Sequence, residues 1–141
     1  MISACLMGLY CRYDGKQVHF QHINALMDKY QLIPVCPEIM GGMGTPRNPC
    51  ERIDNRVLDN AGKDVTGYFE IGAREVLKLA KLYDCKYAIL KERSPSCGYG
   101  RIYDGSFSGN IITGNGVTAG LLAEHGLTIF GESQIVKLID L

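Results

Sequence analysis

Tyr87-Ala88-Ile89-Leu90-Lys91-Glu92-Arg93-Ser94-Pro95-Ser96-Cys97-Gly98 passes from an apolar run into a turn that carries two hydroxyls and a thiol. Residues 87–90 are apolar without alternation and bounded by turn signals, so 87–91 reads as a strand buried on both faces. A Ser-Pro-Ser-Cys-Gly turn is a poor core element, but it presents Cys97 at a strand's end. Before it, residues 66–83 carry Phe69, Ala73, Val76, Leu77, Ala80 and Tyr83 at helical spacing. Thr66 stands as their N-cap, and Lys78 and Lys81 lie where the helix dipole favours cations. After it comes a glycine-rich loop with a short ribbon near 101–107, then a helix over 116–125 between Asn115 as cap and Gly126 as stop. A strand over 127–130 and a last helix capped by Ser133 complete this half.

The N-terminal half repeats the alternation. Residues 1–6 read as a strand, 7–16 as a loop closed by Tyr13-Asp14-Gly15, 24–30 as a short helix and 32–35 as a strand ended by Cys36-Pro37-Glu38. Gly41-Gly42-Met43-Gly44-Thr45-Pro46-Arg47-Asn48-Pro49 excludes regular structure. Residues 53–65 read as two edge strands turning at Asp59-Asn60-Ala61-Gly62. Strands alternating with helices predict one α/β domain over 1–141, a Rossmann/flavodoxin-like three-layer sandwich. Its sheet should be mostly parallel, in strand order 2-1-3-4, with a small edge hairpin and ligands outside the carboxyl ends of the strands.

Net charge is zero, which argues against broad electrostatic capture of nucleic acid. No apolar run approaches the roughly 20 residues that span a bilayer, and the reading is a cytoplasmic protein with no membrane partner.

Six cysteines in such a chain need an account. Cytosolic thiols stay reduced, and no C-x-x-C pair is present to suggest a zinc ribbon or a thioredoxin-like motif. Position selects among them. Cys5, Cys36 and Cys97 fall at the ends of adjacent strands, about 5 Å apart in a sheet, where three thiolates can share a polynuclear centre. Cys85 falls at the opposite edge and reads as packed and inert, and Cys50 as structural. Cys11 is on the ligand edge and remains an alternative ligand. Thiolates select zinc or iron–sulfur clusters, and a set without metal stays open at this point. Glu38 and Ser94 stand beside the proposed ligands, where a carboxylate activates water and a hydroxyl relays a proton, although each also serves as an ordinary loop residue. Arg47, Arg93 and Arg101 offer charge to the glycine loops. His19, His22 and His125 lack metal spacing and receive no chemistry.

Together, Cys5-Leu6-Met7-Gly8, Cys11-Arg12-Tyr13-Asp14-Gly15, Cys36-Pro37-Glu38 with its Gly-Gly-Met-Gly-Thr-Pro-Arg, Asp64-Val65-Thr66 and Leu90-Lys91-Glu92-Arg93-Ser94-Pro95-Ser96-Cys97-Gly98 resemble the single-domain bacterial thiouracil desulfurase family. Tyr103-Asp104-Gly105-Ser106-Phe107 and Gly114-Asn115-Gly116-Val117-Thr118-Ala119 match it too. The resemblance implies a 4Fe-4S cluster on Cys5, Cys36 and Cys97, with the fourth iron free for a thiocarbonyl sulfur and catalytic roles for Glu38 and Ser94. It implies hydrolytic removal of sulfur from a small thiolated base, 2-thiouracil giving uracil. A related branch acting on thiolated bases in tRNA carries an extra domain not found in this sequence. The other functional class is a zinc- or Fe–S-binding module that handles sulfur without catalysis.

Overall fold

A computed structural model describes residues 1–18 and 20–140, so His19 lies outside the described residues. Four short parallel strands form the centre: β1 (Ile2–Ser3), β2 (Pro34–Val35), β5 (Tyr87–Leu90) and β8 (Thr128–Gly131), ordered β2-β1-β5-β8. This is the 2-1-3-4 order expected from the alternation of elements. Ile2 pairs with both Pro34 and Ile89, and β5 pairs with β8 from Tyr87↔Thr128 to Leu90↔Gly131.

The period of two along β5 divides the core into two layers. Ala88 and Leu90 pack with Val76 and Ala80 of α3 (Thr66–Leu82) and with Ala119 and Leu122 of α4 (Val117–Glu124). Ile89 faces the other side, among Leu26 of α1 (Ile23–Lys29) and Ile135 and Leu138 of α5 (Ile135–Ile139). Continuous apolar strands and one-faced helices thus give the expected three layers.

Several local expectations shift. The first strand ends at Ser3, because Ala4–Met7 closes into a 3-10 turn stopped by Gly8 at φ +81°. The edge hairpin forms between β3 (Cys50–Ile53) and β4 (Arg56–Asp59), and the ribbon expected near 101–107 forms as a second small antiparallel sheet, β6 (Arg101–Tyr103) with β7 (Ile111–Thr113). The β3–β4 turn falls at Asp54-Asn55, with Asp54 at φ +52°. Asp59-Asn60-Ala61-Gly62 makes a separate turn, in which the Asp59 carboxylate accepts the N–H groups of Ala61 and Lys63, both at 2.9 Å. Thr66 is the first residue of α3 rather than its cap; Asp64 accepts its N–H at 2.9 Å. Gly116, not Asn115, caps α4, and the Asn115 side chain accepts the Gly100 N–H. Ser133 lies within a 3-10 turn, and its N–H bonds the Glu92 carboxylate at 2.9 Å.

A further helix, α2 (Pro37–Met40), occupies the stretch read as a strand end. Proline at its first position and Glu38 in its first turn suit a helix start. It lies so close to α3 that a Cβ on Gly72 would overlap the Pro37 carbonyl, and one on Gly41 the Tyr68 carbonyl. This contact sets the height of Cys36 and Glu38 relative to the sheet. Gly72→Ala should therefore cost about 1–3 kcal/mol through overpacking. Gly67→Ala, where an added Cβ meets nothing, should instead gain roughly 0.5–1 kcal/mol. Denaturant unfolding of the two variants checks the opposite signs; equal stability of Gly72→Ala and wild type would remove the steric argument.

Candidate functional site

The carboxyl ends of β1, β2 and β5 open into a cleft of about 640 Å³. Cys5, Cys11, Cys36 and Cys97 all line it, with Glu38 and Ser94. Each reaches it by a different local device. Cys5 rides the 3-10 turn after β1, and Cys36 is the N-cap residue of α2. Cys97 is buried on the turn after β5. That turn is locked from above: the first N–H groups of α4, from Val117, Thr118 and Ala119, donate to the carbonyls of Pro95 and Ser96 at 2.9–3.0 Å. The turn carbonyls thus stand in for a side-chain cap and fix Cys97 against the helix start.

The thiols differ in their hold on a proton. Cys36 is drawn down to about 6, chiefly by the Cys11 thiol as proton partner, against its burial, and with help from a backbone N–H of α2. Cys5 is also lowered, again mainly by Cys11, which itself is held firmly protonated between the sulfurs of Cys36 and Cys5. Burial pushes Cys97 up to about 12, although the Ser3 and Ser96 hydroxyls oppose it and Ser96 donates to the sulfur at 3.6 Å. Cys85 lies away from this cleft, against the core beside Tyr83 and Met1. Cys50 lines the cleft as well as packing near Val57 and Phe69, a placement the sequence reading did not foresee.

Glu38 enters the same cleft from α2. Its Oε1 pairs with Arg47 Nε at 3.3 Å, both side chains being nearly buried. The Arg47 guanidinium also donates to the carbonyls of Cys11 (2.9 Å) and Gly44 (3.0 Å), so one side chain ties the Cys11 loop to the carboxylate. The Ser96 hydroxyl donates to Glu38 Oε2 at 3.3 Å and lies 3.0 Å from the Ser94 hydroxyl. Ser94 Oγ accepts the N–H groups of Ser96 and Cys97, both at 3.1 Å. Glu38, Ser96 and Ser94 thus form a continuous hydrogen-bonded chain along the thiols. Ser96, fully buried, and Arg47 carry this arrangement; the sequence placed both near the site but gave neither a partner. Ser3, also unforeseen, accepts the Lys91 N–H at 2.9 Å and joins β1 to β5 behind Cys97.

Among the described residues, no three His, Cys, Asp or Glu side chains gather tightly enough to hold a single metal ion. Five thiols spread around a cleft suit a larger, soft, polynuclear group better than a lone ion. The donor set therefore fits an iron–sulfur cluster.

An α/β sheet whose carboxyl edge gathers thiols beside a carboxylate–hydroxyl chain defines a domain fit to hold a soft metal–sulfur cluster. The chain belongs to the 2-thiouracil desulfurase family, whose model matches residues 1–134. It is 40% identical to a Bacillus subtilis (strain 168) protein, YbbK, described as uncharacterized, over 99% of both chains. It also resembles the solved structure of TudS, described as a 4Fe-4S-dependent thiouracil desulfidase. That match has a TM-score of 0.91 and 42% identity, and covers 97% of this chain and 92% of the other.

Proposed function

We propose that this protein is a 4Fe-4S-dependent thiouracil desulfurase that hydrolyses a small thiolated pyrimidine to its oxygen counterpart and hydrosulfide. The observation that carries the reading is the Glu38–Ser96–Ser94 hydrogen-bonded chain alongside Cys5, Cys36 and Cys97 in one cleft. Family membership and the likeness to TudS support it. Cys5, Cys36 and Cys97 hold the cluster, and Cys11 stays beside Cys5 and Cys36 as a thiol.

A cluster held by Cys5, Cys36 and Cys97 would supply a soft Lewis acid for the thiocarbonyl sulfur and would polarise the C–S bond. Glu38 removes a proton from the water that attacks the ring carbon, while Arg47 holds the carboxylate in place. The Ser94 hydroxyl, connected to Glu38 through Ser96, delivers a proton to the ring or the departing sulfur. Carbon exchanges sulfur for oxygen without net oxidation, so no electron donor is required.

No helix among the described residues is long and apolar enough to cross a membrane. With zero net charge, a free base or nucleoside is the substrate rather than nucleic acid, and residues 1–141 work as one cytoplasmic domain. Anaerobic reconstitution with iron and sulfide, followed by 2-thiouracil, a thiolated nucleoside and thiolated tRNA in parallel, tests the reading. Turnover of the small molecules supports it, and iron-loaded protein inert towards all three contradicts it.

A further inference from the structure

Four non-glycine residues in the described chain adopt left-handed φ: Asp54, Asp84, Arg93 and Phe107. Aspartate tolerates this region because its short carboxylate bonds the local backbone. Arginine and phenylalanine have no such compensation, and both Arg93 and Phe107 line the thiol-bearing cleft. Strain of this kind persists only where surrounding contacts impose it, and it collects at functional sites.

At Phe107, φ +55°, the imposing contacts are visible. Residues 104–110 form a strap between β6 and β7, closed by the Asp104 N–H to the Asn110 carbonyl at 3.0 Å. From β3, a separate sheet, Glu51 Oε1 accepts the N–H groups of Gly105 at 3.0 Å and Phe107 at 3.1 Å. Gly105 sits at φ +93° directly on the Ile53 side chain, where a Cβ could not fit. A carboxylate and a glycine contact thus pin the strap from outside and hold a large apolar ring, 38% exposed, at the cleft. Among the described residues its ring pairs with no other aromatic ring. An aromatic face carried on a pinned backbone and lining a thiol-bearing cleft suits a flat heteroaromatic ring, which it holds by stacking.

We propose that Phe107 is a substrate-specificity residue whose ring stacks on the planar pyrimidine, and that Glu51 is the positioning residue that sets it there. The inference rests on the thiolated-pyrimidine reading above and names the element that recognises the ring apart from its sulfur. Stacking tolerates changes at the ring edge, so the strap selects flat six-membered heterocycles over acyclic thiocarbonyl compounds, which offer no ring face to the Phe107 side chain.

The test uses the reconstituted holoenzyme in wild-type, Phe107→Ala, Phe107→Tyr, Glu51→Ala and Glu51→Gln forms. Steady-state kinetics with 2-thiouracil are set beside calorimetric binding of uracil, which has no sulfur and reports the ring slot alone. Phe107→Ala should raise both the KM and the uracil Kd by on the order of tenfold, with iron content and cluster absorbance unchanged. Phe107→Tyr, which keeps the aromatic face, should stay within about twofold of wild type. Glu51→Ala should raise KM with little change in kcat, and Glu51→Gln, which keeps an acceptor oxygen, should restore it. Wild-type KM and uracil affinity in Phe107→Ala would overturn the stacking role and leave the desulfurase reading intact. If uracil binding is lost in Phe107→Ala but the wild type turns over no thiolated base, the ring slot stands and the desulfurase reading falls.

Discussion

Cys97→Ser protein, reconstituted anaerobically, is expected to lose most of its iron and all measurable desulfuration, while Cys85→Ser keeps both. Cys97 is nearly fully buried and its thiol is pushed up to about 12, so without a metal it remains a protonated, unused group. A bound iron reverses that, because metal coordination displaces the proton and a thiolate is the ligand iron prefers. Serine matches the size but offers a hard oxygen whose proton is far harder to remove. Fold is not at risk: the turn is held by Ser94 Oγ and by the N–H groups of α4, none of which involves the sulfur. Cys85 packs at the far end of the sheet, so its replacement tests whether any lost thiol has the same effect. Iron and sulfide quantitation with visible absorbance reads the outcome. A wild-type cluster in Cys97→Ser would refute the ligand assignment.

Glu38 gives the second large effect. Glu38→Ala should retain the cluster and lose about 10²- to 10⁴-fold in kcat, the usual contribution of a positioned general base. Alanine also strands the nearly buried Arg47 guanidinium, an error that by itself destabilises a protein. Glu38→Gln separates the two consequences. Its amide oxygen still accepts from Arg47 or Ser96, so stability and iron content should remain near wild type, yet it cannot take a proton from water. Both variants should therefore show comparable losses in kcat, with only Glu38→Ala easier to unfold. Full turnover by Glu38→Gln would eliminate the carboxylate as base.

The order of the central sheet was legible because apolar runs of strand length alternate with periodic helices, and right-handed crossovers leave few arrangements. Cys5, Cys36 and Cys97 were legible for the same reason, each lying just past a strand. What resisted reading was short or turn-borne. At four residues α2 is too brief to show a period, and Pro37 suggested an end rather than a start. Asp54-Asn55 and Asp59-Asn60-Ala61-Gly62 both carry turn chemistry, and the second attracted the hairpin because it contains glycine; pairing of Cys50 with Asp59 decided for the first. Ser96 and Arg47 sit in loops where nothing periodic points a side chain, so their contacts with Glu38 became visible only in three dimensions. Cys11 likewise came from a loop, and its place in the cleft, where its carbonyl accepts from Cys36 and Arg47, is a tertiary fact.

The most direct measurement follows uracil and sulfide together as anaerobically reconstituted wild-type protein meets 2-thiouracil with no reductant present. A hydrolytic centre built on Cys5, Cys36, Cys97 and Glu38 predicts equal amounts of the two products, formed over many turnovers and only by iron-loaded protein. An intact cluster that yields no uracil, or metal-free protein that yields it equally well, would contradict that centre.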